Sequence, residues 1–184
     1  MSDGGAVSDG GAVSEPSGPV DQRMGHGVKQ RDIIKMTAAE VDEFLHQRHA
    51  MSLCTINHDG SIHAVAMWYG FLEGAVAFET KAKAQKVQNL RRDPRITCLV
   101  EDGDYYEELR GVELVGTAEI VEDPDRMWTL GVDLFERYYG TYTEDLKPFV
   151  ETMLNKRVVI KVHVTRVVTW DHRKLGLGST RPAS

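Results

Sequence analysis

The sequence predicts a mainly β fold with peripheral helices, in which six antiparallel strands form a small closed or half-closed barrel. Three observations predict it. Short apolar runs between Met51 and Thr80 are separated by turn signals such as Asn57-His58-Asp59-Gly60 and Glu73-Gly74. A long alternating run from Arg157 to Trp170 would leave an adhesive edge unless other strands covered it. Finally, 184 residues with a 41% hydrophobic share suffice for one domain and not for two well-packed ones.

Composition narrows the function classes. The 28 acidic residues outnumber the 22 basic ones and leave a formal charge of -6, which argues against a phosphate-backbone binder. Lys81 to Arg95 is locally basic, but no aromatic platform interleaves it, so no nucleic-acid partner is expected. The most apolar segment, Ala64 to Phe78, is cut by Gly70, Glu73 and Gly74. It falls short of the ~20 apolar residues of a membrane helix. The N-terminus has no basic region followed by an apolar core, so the expected location is cytoplasmic, without a membrane partner. Cys54 and Cys98 are too few for a disulfide scaffold and form no C-x-x-C pair; they read as reduced, buried thiols.

Residues 1–29 carry the hexamer SDGGAV twice and then Glu15-Pro16-Ser17-Gly18-Pro19. Such a stretch has too little apolar surface to offset ~1–2 kcal/mol of backbone entropy per ordered residue, and it reads as a disordered tail. Residues 176–184 read as a shorter tail. The folding unit is 30–175.

Its elements follow in order. Thr37 and Glu40 have capping-box spacing, and Val41, Phe44 and Leu45 recur on one helical face. Met51 to Ile56 and Ser61 to Tyr69 read as a hairpin, and Ala75 to Thr80 as a third strand of an antiparallel meander. Ala82 to Arg92 reads as a helix stopped before Asp93-Pro94. Arg95 to Glu101 and Val112 to Val121 are further strands, with Gly116 a bulge or point of close approach. Two helical stretches, Asp125 to Tyr139 and Glu144 to Leu154, precede the last strand, Arg157 to Trp170.

Few segments could carry chemistry. There is no phosphate-cradling glycine loop, no H-E-x-x-H pair and no G-x-S-x-G elbow. His46 and His49 are three apart on a helix but lack an acidic or cysteine partner nearby, which suits solvated surface better than a metal. The segment Thr80-Lys81-Ala82-Lys83-Ala84-Gln85-Lys86 is different. A strand hands over to a helix, Thr80 is placed to cap it, and Lys83 and Lys86 fall on one helical face. Open backbone donors and the positive end of the helix dipole make such a junction an anion site. The same spacing also suits a solvated basic face.

The order of parts resembles the split-barrel flavin- and deazaflavin-binding superfamily, which includes pyridoxamine 5'-phosphate oxidases and actinobacterial coenzyme F420-dependent oxidoreductases. The resemblance rests on Phe78-Glu79-Thr80, Lys86 and Asn89-Leu90-Arg91-Arg92-Asp93-Pro94. Upstream, Leu53-Cys54-Thr55-Ile56 and Asp59-Gly60-Ser61-Ile62-His63 match the first hairpin. Downstream, Leu109-Arg110-Gly111-Val112 and Val115-Gly116-Thr117-Ala118 match a later strand. It covers roughly Ile34 to Leu175. Gln85-Lys86 stands where the vitamin B6 oxidases have Arg-Lys, and their C-terminal R-x-H signature is missing, so the F420-using subgroup is the nearer match.

The resemblance implies an FMN-binding-like split barrel and a hydride transfer between F420 and a small acceptor with an activated double bond, or alternatively an FMN-dependent oxidase or reductase that meets oxygen directly. Some relatives bind biliverdin or haem, so the other alternative is a non-catalytic binder or carrier of deazaflavin, biliverdin or haem. It implies a phosphate met by Thr80, Lys83, Gln85 and Lys86, and a ring lying along Val65-Ala66-Met67-Trp68. Trp170 is implied as a wall of the site across a homodimer boundary. Met67 and Trp68 equally suit barrel core, and Trp170 suits an anchor for the last strand, with Asp171 paired to His172 or Arg173. Tyr69, Tyr105 and Tyr106 are the side chains that could donate a proton, with water the alternative. Trp128, Tyr138, Tyr139 and Tyr142 suit a subunit or lid surface.

Overall fold

The capping box expected at Thr37 is formed. In the computed structural model of the chain, which describes residues 29–47 and 50–178, Thr37 Oγ1 accepts from the Glu40 N–H at 3.3 Å. Glu40 Oε2 accepts in return from the Thr37 N–H at 2.6 Å. Both donors would otherwise lack partners at the helix start. The helix behind them, α2 (Ala38–His46), follows one short turn of helix, α1 (Gln30–Ile33), and buries Phe44 and Leu45. Residues 1–28 and 179–184, where both tails were expected, lie outside the described residues, as does His49.

β1 (Met51–Ile56) and β2 (Ile62–Met67) form the predicted hairpin, in register from Met51↔Met67 to Ile56↔Ile62. Gly60 turns it at φ +84, a conformation that glycine adopts without a Cβ clash. Beyond Met67 the structure departs from the sequence reading. A separate short strand, β3 (Gly70–Leu72), pairs with β4 (Ala75–Lys81), so there are seven strands among the described residues. The meander is also corrected, because β4 pairs with the last strand and not with β2. The reason lies far along the chain. The backbone of Tyr69 is satisfied by the Tyr138 hydroxyl, and the Phe71 N–H by the Asp133 carboxylate at 2.7 Å. Such partners replace a strand neighbour and leave no mark in the local sequence.

The remaining elements are α3 (Gln85–Arg92), β5 (Arg95–Asp102), β6 (Arg110–Val121), α4 (Pro124–Tyr138), α5 (Lys147–Leu154) and β7 (Arg157–Asp171). The strand order is β2-β1-β5-β6-β7-β4-β3, antiparallel throughout. The two outer strands, β2 and β3, are consecutive in the chain. Trp68 and Tyr69 therefore bridge the seam of a sheet curled into a half-barrel.

Alternation sorts the side chains into two interiors. Met51, Leu53, Phe78, Val100, Val112 and Ile160 fill the barrel. Leu72, Ala77, Val121 and Val159 face the other way, against Leu130 and Leu134 of α4. Gly116 is the expected point of close approach. The β6–β7 register slips there, and a Cβ would lie 2.1 Å from the His163 carbonyl oxygen.

Candidate functional site

The strand–helix junction is built by pairing first. β4 stays in register with β7 as far as Lys81↔Arg157, so the helix cannot begin at Ala82 as its apolar spacing suggests. A turn follows, closed by the Ala84 N–H on the Lys81 carbonyl at 2.8 Å and the Ala82 N–H on the Lys156 carbonyl at 3.0 Å. α3 then opens at Gln85 with no side-chain cap. Two expectations are corrected here. Thr80 is a buried strand residue and not the helix cap, and Lys83 sits exposed in the turn, so it shares no helical face with Lys86.

Lys86 turns inward. Its residue is 9% exposed, and its ammonium donates to Thr80 Oγ1 at 3.3 Å. Among the described residues no carboxylate lies within ion-pair reach of it. Burial draws its pKa below the ordinary lysine value, because an ammonium without a counter-charge is costly to desolvate. Exposed Gln85 lies beside it, with its side-chain amide donating to Asn89 Oδ1 at 2.9 Å. A cleft of about 440 Å³ opens at that point, lined by Asn57, His58, Asp59, His63 and Gln85. Motif reading singled out neither histidine. Their proximity depends on how the first hairpin meets α3.

β2 divides the predicted ring slot between two faces. Val65 and Met67 pack against the barrel core, whereas Ala66 points outward and is exposed. Trp68 is also outward and 49% exposed, and its ring stacks on Tyr138 at 4.3 Å and 4°. So Met67 is core, while Trp68 is held by α4. Because β2 is an outer strand, one side of its backbone keeps N–H and C=O groups free of strand partners.

The structure does not bring Trp170 to the junction. Thr80 pairs with Val158, and Trp170 lies twelve residues further along β7, about 40 Å at the rise of an extended strand. Its ring covers Gly111, where a Cβ would approach it to 2.2 Å. Asp171 pairs with Arg173 at 2.6 Å and not with His172, and its N–H donates to the Ile34 carbonyl at 2.7 Å. Within one chain this end of β7 is an anchor.

Tyr69 is no proton donor to a ligand. It is fully buried, its hydroxyl donates to the Leu45 carbonyl at 2.7 Å, and burial pushes it up to about 12. Tyr106 lies at the Trp170 end, its ring 4.4 Å from that of His172. Both cysteines are free, and burial raises Cys98 to about 12. His46 stacks on Phe71 at 4.2 Å. Among the described residues no three metal-ligating side chains cluster, and no helix is long and apolar enough to cross a membrane.

Residues 37–171 match the family described as pyridoxamine 5'-phosphate oxidase. The chain belongs to that family. Conserved hypothetical protein Rv2991 from Mycobacterium tuberculosis, known as a crystal structure, is 48% identical with a TM-score of 0.81, over 85% of this chain and 98% of that one. A structure described as an F420 reductase is 28% identical with a TM-score of 0.53, over 68% and 94% of the two chains. The haem storage protein HutZ from Vibrio cholerae, at 14% identity and a TM-score of 0.58 over 73% and 96%, shares the fold alone. No curated protein matches the chain. The pyridoxamine 5'-phosphate oxidase family and the F420 reductase likeness support a flavin or deazaflavin cofactor in general terms. In this family member, the amide of Gln85 is engaged by Asn89 and stands beside a lysine that has no acidic partner among the described residues.

Proposed function

We propose that the chain is an oxidoreductase that holds coenzyme F420 and passes a hydride to an activated double bond in a small organic acceptor. The observation that carries this reading is Lys86, a buried ammonium with a hydroxyl for company and, among the described residues, no carboxylate partner. Such a charge is completed by an anion from outside, and a phosphate ester has the acceptors to take Lys86, Thr80 and Gln85 together. Exposed Lys83 adds charge at the rim.

The free backbone edge of β2 at Val65–Met67, continued by Trp68, suits the polar edge of a flat tricycle, with Ala66 leaving room beside it. The coenzyme supplies the hydride chemistry when bound, so the protein has only to orient it and exclude water. That division of labour fits a junction with no general base beside Lys86 among the described contacts. Trp170 can wall such a slot only from a second copy of the chain, given its distance along β7. The working form in this reading is a homodimer, with Trp68, Tyr139 and Phe149 among the exposed rings a second copy could cover.

FMN would use the same phosphate donors, and haem or biliverdin would not need them. Titration of the purified protein with F420 and with FMN, beside Lys86→Ala, is the test. Tight F420 binding that the substitution abolishes is expected, and a yellow preparation releasing FMN on heating would reassign the cofactor. Absence of binding to both coenzymes, or unchanged affinity in the variant, would overturn the reading.

A further inference from the structure

The feature that the cofactor reading does not absorb is a run of buried and turn amides linking α3 to the first hairpin. Asn89 is fully buried on the inner side of α3. Its Nδ2 donates to Thr55 Oγ1 at 3.0 Å and to Asn57 Oδ1 at 2.9 Å. Asn57 Nδ2 in turn donates to Ser61 Oγ at 3.1 Å, and the Ser61 hydroxyl donates to Asp59 Oδ1 at 2.6 Å. At the other end Asn89 Oδ1 accepts from Gln85 Nε2 at 2.9 Å.

Each amide could in principle be turned end for end, so something must fix the direction of the series. An ionised carboxylate can only accept. Asp59 also takes the Ser61 N–H at 3.0 Å, and these bonds hold its carboxyl below the ordinary aspartate range. With Asp59 as the terminal acceptor, Ser61 must donate to it and accept from Asn57. Asn57 must then accept from Asn89, and Asn89 from Gln85. One Nε2 hydrogen of Gln85 is used, and the other remains for the cleft.

We propose that Asp59, Ser61, Asn57 and Asn89 form a polarity relay that presents Gln85 as a hydrogen-bond donor to the ligand anion beside Lys86. The proposal rests on the phosphate reading of the junction and names what sets the specificity of one of its contacts. In it Gln85 touches the ligand, and the other four residues act through it as positioning residues. A glutamine amide can either donate or accept toward a ligand, so Gln85 needs its sense fixed by its neighbours. Its donor sense is borrowed from a carboxylate four hydrogen bonds away.

The consequence has a sign opposite to simple electrostatics. Asp59 lines the same cleft as Gln85, so by Coulomb's law alone removing its charge tightens an anion. The relay requires Asp59→Ala to weaken binding, by about fivefold, as for one directed hydrogen bond. Calorimetric titration of the full chain with F420 and with FMN reads this directly. Gln85→Ala is expected to weaken binding by a similar factor, and the double variant no further, because both act on one contact. Thr55→Val removes another bond of Asn89 outside the relay; it is expected to lower thermal stability and leave affinity unchanged.

Tighter or unchanged binding by Asp59→Ala overturns the relay, as do losses that add in the double variant. An affinity loss in Thr55→Val equal to that in Asp59→Ala would assign the effect to packing and overturn it too. Lys86→Ala separates the two levels. If that variant binds normally, or if wild type binds neither coenzyme, the phosphate reading fails and takes the relay with it. If Lys86→Ala loses binding while Asp59→Ala and Gln85→Ala do not, the relay alone is wrong.

Discussion

Glu79 and Thr80 are neighbours on β4, and they face different interiors. Thr80 looks into the barrel, where its hydroxyl is the partner of the buried Lys86 ammonium. Glu79 lies on the face that carries Ala77 and Val159, beneath the helices. Its Oε1 is 3.3 Å from Arg157, and its Oε2 is buried with no hydrogen-bond partner. Burial raises this carboxyl from 4.5 to about 7, against the pull of Arg157. Each charge is incompletely matched, and the two sites resolve the cost differently. Lys86 follows exposed Gln85 at the start of α3, beside an open cleft, so in the proposed reading an anion completes it from outside. Glu79, equally buried, has Arg157 on one carboxyl oxygen and nothing on the other, and taking up a proton relieves that cost.

The largest expected effect breaks this contrast at Lys86. Lys86→Ala should weaken cofactor binding several-hundredfold, about 3–4 kcal/mol, as when one member of a desolvated charge pair is removed. Thermal unfolding of the unliganded variant should be unchanged or higher, since a desolvated charge is gone. Loss of stability together with binding would make Lys86 a structural cation and erase the distinction.

Glu79 sharpens the other side. The folded carboxyl holds its proton to about pH 7 and the unfolded one only to about 4.5, so the folded state binds more protons in between. Stability should therefore fall as pH rises through that window and level off above it. Urea titrations of Glu79→Gln should lack this component of the slope, leaving the variant more stable than wild type at pH 8. An equal slope in both proteins would show that Arg157 already satisfies the charge.

Two smaller effects place the boundary between the faces. Thr80→Val should weaken F420 or FMN binding about fivefold and leave the Glu79-dependent slope intact, measured in the same titrations. Trp68→Ala removes the stack on Tyr138 that holds α4 at the seam. It should cost about 1 kcal/mol of stability, seen as a drop of a few degrees in Tm.

Much of the barrel was legible because its signals are local. The Thr37–Glu40 box and the Asn57–Gly60 turn each act within a few residues and form as expected, and the glycine at 116 marks a close approach whose partner, His163, the sequence does not name. The alternation of Arg157–Trp170 likewise marked the long β7. β3 leaves no local mark because α4 side chains satisfy its approach, and Thr80 resembles a cap in sequence because nothing local reveals that β4 stays paired to β7 through Lys81.

The candidate site shows the same division. The presence of Thr80, Gln85 and Lys86 in one short segment is a property of the chain, and so is the basic character of the strand–helix handover. That Lys86 points inward without an acid, that Asn89 couples Gln85 to a hairpin turn, and that Trp170 lies at the far end of β7 are decided by tertiary structure. The side-chain period along a strand or helix, and the turn and cap signals at its ends, repeat or act within a few residues, and sequence records them. The cost of a buried charge depends on which distant groups share its interior, and only the folded chain assembles them.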